Sequence, residues 1–322
     1  MTRDLSDAQR DALRAGKQLR LERARRLGPW KHLSYRLQLV VLAFLVRAIR
    51  CLPLDFAARA GEWLGRRLLA RRLATDAVVK TIRVAFPSAS DAEVAGIVSE
   101  MSGNIVRVVV ELAHLDAFAR PESGRIRIVG AEWLAKARAG GRGVLFVVGH
   151  VANWEISAIP LRQLGLDGVF SVMPPSNPYV FDWLSQLRLS VGFSEQANAG
   201  EGVYRAFRKA LKEGRAAIVL ADQRIDNGIK APFFGVDAMT NVIPARLART
   251  LGVDVVPIAV RRRETGRSQF EVELMPPLEF SVIGDTQADE RAFTARINAF
   301  YEAEIRRAPG QWLWLDRRWD EH

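Results

Sequence analysis

The chain has 322 residues, with 47 Lys+Arg against 36 Asp+Glu and a formal net charge of +11. Apolar residues make up 49% and charged residues 26%, a globular composition that excludes dominant disorder and a polytopic membrane protein. The excess charge is local: residues 1–72 hold 17 Lys+Arg and 6 Asp+Glu, a net of +11, and the remaining 250 residues hold 30 of each. A basic N-terminal block on a neutral body reads as a surface-docking element, and nucleic acid is not an expected partner.

Residues 5–27 are expected to form a charged helix, with Ser6 as N-cap and Gly28-Pro29 as stop. The run Leu37 to Val46 follows, interrupted only by Gln38 and ended by Arg47 and Arg50 before Pro53. A spanning helix needs roughly 20 predominantly apolar residues. The run is about half that, so a helix lying in or dipping into the cytoplasmic leaflet is expected; the alternatives are a spanning helix over Leu33–Leu54 with snorkelling arginines and a buried core helix. The apolar run begins too late for a signal peptide and lacks a cleavage site. Residues 1–54 thus read as a membrane-docking region and 55–322 as the catalytic body.

Within the body, 55–120 reads as helical: an Arg-rich amphipathic helix over 56–73, then helices over 75–86 and 91–115, the last opened by the Ser90–Glu93 capping signal. From 125 onward short apolar strands alternate with helices. Strands are expected at 125–129, 144–148, 169–173, 216–220, 255–260 and 270–275. Helices are expected at 131–138, 153–164, 178–191, 200–213, 242–251 and 289–308. The acidic, Gly-rich segment 195–202 reads as a loop near the site. This alternation predicts an α/β fold: a mostly parallel central sheet flanked by helices, over 125–322.

Several chemistries are excluded. Cys51 is the single cysteine, so no disulfide forms within the chain. His32, His114, His150 and His322 are too scattered for a local metal motif. No G-x-G-x-x-G, Walker or G-x-S-x-G sequence occurs, and Gly140–Gly143 precedes a strand instead of following one. No cofactor is implied.

The informative segment is Val144–Glu155 (VLFVVGHVANWE). Ligands of open α/β sheets bind outside the carboxyl ends of strands, which places His150 where chemistry is expected. Glu155, five residues on, is expected to reach back from the first helical turn, hold the imidazole tautomer and stabilise the imidazolium. With no serine or cysteine in a nucleophile setting, a lone base points to direct attack by a substrate hydroxyl on an activated acyl group.

The segment GHVANWE resembles the H-x4-D/E motif of the lysophospholipid acyltransferase-like superfamily, in the N-W-E form of bacterial late acyltransferases of lipid A biosynthesis and the related phosphatidylinositol mannoside acyltransferases. Further blocks agree in order: Asn177-Pro178 with Arg188, Leu220–Gln223, Pro232–Gly235 with Thr240 and Pro244-Ala245, Pro257 with Arg261, and Gln311–Trp314 with Arg317–Trp319. The match runs from about residue 35 to 319. It departs at Met173–Ser176, where the family often carries Arg, and at Asp316, where it often carries His.

The resemblance implies transfer of a fatty acyl chain from acyl carrier protein or coenzyme A to a hydroxyl of a membrane glycolipid or lipid-linked acyl chain, at the cytoplasmic face of the bacterial inner membrane. By that analogy His150 is the base and Glu155 its partner. Arg188 binds phosphate or polarises the thioester carbonyl. The substrate-binding candidates are Asn153, Asn177, Arg188, Asp222, Gln223 and Arg246; Trp312, Trp314 and Trp319 read as core or interface aromatics. The expected partners are a lipid A-type acceptor, an anionic membrane surface and, as a possible donor, acyl carrier protein. Alternatives are the same chemistry on a lysophospholipid, aminolipid or phosphoinositide mannoside, or an inactive lipid-binding protein of this fold.

Overall fold

The computed structural model describes residue 26 and residues 28–319 apart from 199, 264 and 283. The helix expected over 5–27 and His322 lie outside the described residues. The first described helix, α1 (Pro29–Arg50), is far longer than the apolar run alone. Its 22 residues span about 33 Å at 1.5 Å per residue, against a hydrocarbon core of about 30 Å. By length and composition it is sufficient to cross a bilayer. It contributes no buried residue, and Trp30, Leu33, Leu37, Val40 and Phe44 are each at least 60% exposed, which overturns the buried-core alternative.

The helical layer follows. Helix α2 (Leu54–Leu64) continues through a π-helical turn (Gly65–Leu69) into Ala70–Leu73; α3 is Asp76–Ala85, α4 Asp91–Ala113 and α5 Leu115–Ala119. The capping box forms as expected: Ser90 Oγ accepts from Glu93 N–H, and Glu93 Oε2 accepts from Ser90 N–H. The π turn falls where α2 presses on α4. A Cβ at Gly65 would lie 2.3 Å from Ser102 O, so only glycine allows that approach.

The body alternates: β1 (Ile126–Val129), α6 (Ala131–Arg138), β2 (Leu145–Val148), a 3-10 turn (Trp154–Ile156), α7 (Ala158–Gln163), β3 (Gly168–Val172), α8 (Pro178–Val191), β4 (Glu195–Asn198), α9 (Glu201–Lys212) and β5 (Ala216–Leu220). A hairpin of β6 (Ile229–Phe233) and β7 (Val236–Thr240) precedes α10 (Ile243–Leu251), β8 (Val255–Arg262), β9 (Phe270–Leu274) and α11 (Thr286–Arg307). Two differences from the sequence reading stand out. Residues 195–198 pair as an edge strand with β3 instead of looping. The Pro232–Gly235 block, which carries no alternating pattern, is a tight hairpin with positive φ at Phe234 and Gly235.

The seven-stranded sheet has the order β1-β9-β8-β2-β5-β3-β4, and every pairing is parallel except β8 with β9. All four residues of β2 are buried, as expected of a central strand covered on both faces. Right-handed crossovers carry the chain outward from β2 through α7 and α8, then back through α9 and α10, so these helix pairs cover opposite faces. Next to each other in the centre, β2 leaves towards one face and β5 towards the other. Their carboxyl ends therefore flank the topological switch point, where open α/β sheets bind ligands.

Candidate active site

The register pairs Val148 of β2 with Leu220 of β5, so the residues just past both ends meet. Asp222 Oδ1 accepts from His150 Nδ1 at 2.7 Å, and Oδ2 accepts from His150 N–H and from Trp312 Nε1, both at 2.6 Å. Asp222 is fully buried. Burial pushes its carboxyl up, but the neighbouring His150 charge and the bonds from His150 and Trp312 outweigh this and hold it below the ordinary range. With Nδ1 as donor to Asp222, the lone pair of the neutral ring is on Nε2, which has no hydrogen-bond partner among the described residues. Trp154 packs edge-on against the ring at 5.2 Å. Tyr301, whose phenol burial pushes well up, accepts from Ala221 N–H beside Asp222.

The partner of His150 is thus Asp222 and not Glu155, a correction to the H-x4-E expectation. The residues after Asn153 form a 3-10 turn, not the first turn of an α-helix. Glu155 instead meets α8, where Arg188 grips it bidentately, Nε to Oε2 at 2.7 Å and Nη2 to Oε1 at 2.5 Å. The pair is largely buried, and Glu155 raises the Arg188 pKa despite the opposing effect of burial.

His150, Glu155 and Arg188 line one cleft of about 270 Å³. Its walls descend along the sheet. Leu220 and Val172 stand at the carboxyl rim, while Ile218 and Phe170, paired two residues earlier, lie deeper. Ala158, Val191 and Gly192 face them from the helices. Away from His150 and the Glu155–Arg188 pair the lining is mainly apolar, interrupted by Ser157 and Ser171.

The remaining candidates fall elsewhere. Asn153 is buried: its Nδ2 donates to Glu111 and its Oδ1 accepts from Glu155 N–H, so it shapes the loop. Asn177 caps α8 through Tyr179 and Val180 N–H and donates to Tyr35 O and Gln38 Oε1 on α1, both at 3.0 Å, so it docks the N-terminal helix on the body. Gln223 donates to Leu313 O, tying the β5 end to the C-terminal segment. Arg246 does not line the cleft; it pairs with Glu290 of α11, because its position on α10 faces that helix.

Other contributors are not among the site candidates of the sequence, although the Gln311–Trp314 block and the core aromatic Trp312 figure there. The Gln311–Trp314 segment forms one wall of the loop: Ala152 N–H donates to Gln311 O, Leu313 N–H to His150 O, and Trp312 reaches Asp222. Ala152 sits at φ 54°, a left-handed conformation costing a non-glycine residue about 1 kcal/mol or more. Asn104 fixes it by donating to Ala152 O and Gln311 O. Behind lies a buried network in which Glu111 accepts from Arg262, Asn153, Arg107 and Ser268, and Arg262 also bonds Asn104. The available signals were a carboxylate in an apolar helix (VRVVVELA) and an arginine pair ending an apolar strand (VVPIAVRR).

The doubly wound sheet and the His150–Asp222 pair at its switch point define an α/β site with an imidazole above a mainly apolar cleft. No serine or cysteine among the described residues hydrogen-bonds the ring. The chain belongs to the bacterial lipid A biosynthesis acyltransferase family, whose model matches residues 26–321, and it is an acyltransferase. Among curated relatives, the lipid A biosynthesis palmitoleoyltransferase of Escherichia coli (strain K12) is 29% identical over 300 residues, covering 90% of this chain and 87% of that one. The lipid A biosynthesis lauroyltransferase of the same strain is 27% identical, covering 83% and 86%. The phosphatidylinositol mannoside acyltransferase of Mycobacterium tuberculosis (strain ATCC 25618 / H37Rv) is 24% identical, covering 84% and 85%.

Proposed function

We propose that the protein is a membrane-associated O-acyltransferase that moves a fatty acyl chain from a thioester, on acyl carrier protein or coenzyme A, to a hydroxyl of a lipid A-type glycolipid. His150 is the general base. Its Nε2 takes the proton as the acceptor oxygen attacks the thioester carbonyl; the tetrahedral intermediate collapses with cleavage of the C–S bond, and the imidazolium returns the proton to the leaving thiolate. Asp222 holds the Nδ1–H tautomer and stabilises the imidazolium. Arg188, oriented by Glu155, lies in the cleft wall as the cation nearest in role to an oxyanion or phosphate partner. The apolar depth past Leu220 and Ile218 takes the acyl chain. Helix α1 holds the domain at the cytoplasmic face of the inner membrane, where the acceptor lies.

The observation that carries this reading is the His150–Asp222 pair with Nε2 unpartnered above an apolar cleft. The test is acyl transfer from labelled thioesters to membrane lipid of the source organism by wild type and His150→Ala. Transfer by wild type that is lost in the folded variant is expected; equal activity of the two removes His150 as base. Lipid A-type products are expected by mass spectrometry, and acylated lysophospholipid or phosphoinositide mannoside would reassign the acceptor.

A further inference from the structure

Helix α9 is amphipathic in the strict sense. Val203, Phe207, Ala210 and Leu211 are buried against the sheet. Arg205, Arg208, Lys209 and Lys212 recur at the 3–4-residue spacing of the opposite face, and all four are exposed. They border one shallow depression together with Glu213. Most arginines of the α/β body are neutralised: Arg188 by Glu155, Arg246 and Arg249 by Glu290, Arg261 by Glu273 and Glu304, Arg291 by Asp237. By contrast, Arg205, Arg208 and Lys212 have no ion pair among the described residues, and Lys209 only approaches Glu213 at 4.0 Å across an exposed turn. Four cations against one carboxylate on a neutral body form a concentrated positive field, which steers an acidic partner and does not serve stability.

Position selects the partner. Helix α1 docks on α8, on one face of the sheet. Helix α9 packs on β3, β4, β5 and α10, on the other. The stripe therefore lies across the sheet from the membrane helix. Helix α9 itself starts just after β4, at the carboxyl rim that carries His150 and Asp222, and the stripe runs back from there, Arg205 about 6 Å and Lys212 about 16 Å along the axis from the helix start. We infer that the Arg205–Lys212 face of α9 is the docking surface for an acidic carrier protein that delivers the acyl thioester to the rim. This rests on the thioester reading above and assigns the donor's landing site to the folded body instead of the basic N-terminal block.

The test uses the full chain in detergent micelles and purified acyl carrier protein, titrated at low and high salt. Wild type should bind with a dissociation constant that rises steeply with ionic strength. The quadruple variant Arg205→Glu, Arg208→Glu, Lys209→Glu, Lys212→Glu should weaken binding at least about tenfold and flatten the salt dependence. The milder Arg205→Gln, Arg208→Gln pair should fall between, and far-UV circular dichroism checks the fold of each. A matched reversal on α2 and its continuation through Leu73 (Arg59, Arg67, Arg71 and Arg72 to Glu) should leave carrier binding within about twofold of wild type. No carrier binding by wild type, unchanged binding by the quadruple variant, or loss confined to the α2 set would overturn the inference. So would a quadruple variant that loses anionic-vesicle binding and keeps the carrier. His150→Ala should bind the carrier normally, so a failed docking surface is distinguishable from failed chemistry.

Discussion

Asp222→Asn tests the orienting carboxylate with minimal change in shape. In the wild type three donors converge on Asp222: His150 Nδ1 on one oxygen, His150 N–H and Trp312 Nε1 on the other. An amide offers one accepting oxygen and one NH2 donor. If the oxygen stays with the two donors it already faces, the NH2 points at His150 Nδ1. The ring must then present a lone pair there and carry its proton on Nε2, where a base needs none. The same substitution in a Ser-His-Asp triad lowers kcat by about 10⁴ through the wrong tautomer, which corresponds to about 5.5 kcal/mol of barrier. A loss of 10³–10⁴ in kcat for acyl transfer is therefore expected, with KM for the thioester changed by less than about threefold. Nitrogen-15 shifts of the His150 ring should report the proton moving from Nδ1 to Nε2. A variant within about tenfold of wild type, with its fold intact, would refute the argument.

Four further outcomes follow from the same geometry. Arg188→Met leaves the largely buried Glu155 without its bidentate partner and should cost about 3 kcal/mol in thermal or denaturant unfolding; Arg188→Met with Glu155→Leu should recover part of that loss, and additive costs would argue against coupling. Trp312→Phe removes the indole N–H from Asp222 Oδ2 and should destabilise by about 1–3 kcal/mol while lowering kcat, measured together by denaturation and transfer assay. His114 has its pKa lowered, chiefly by burial beneath α1, where its Nε2 meets Ile49 O. Its contribution to stability is present above the unfolded value of about 6.5 and is lost as pH falls towards the lower folded value, so His114→Gln should flatten the denaturation midpoint below pH 6.5. Val40→Asp with Phe44→Asp on the exposed face of α1 should release the protein from vesicles, with no change in the unfolding of the body; retention on the membrane would shift the anchor elsewhere.

Much of the architecture was legible because its causes are local. Apolar runs such as VLFVV and AAIVL, bounded by turn residues, lie where β2 and β5 form, and Pro178–Val191 is helical over the same span as its pattern. Gly252, in the left-handed region at φ 59°, ends α10 as its position predicts. The hairpin at 229–240 and the edge strand at 195–198 were not legible, since both are made by pairing partners and not by their own periodicity.

The active site divides along the same line. The sequence by itself placed His150 past a buried strand, ordered the family blocks around it and put all the surplus charge at the amino end. What it could not decide was which carboxylate meets the imidazole. Glu155 is five residues away and Asp222 is 72, yet the nearer one turns to Arg188 and the farther one bonds the ring. Only tertiary structure settles this, because parallel β2 and β5 lie side by side in the register Val148–Leu220, and their protruding ends then face each other across one strand spacing, about 4.8 Å. Spacing along a chain fixes contacts within a helix or hairpin; between strands joined by crossovers, register fixes them.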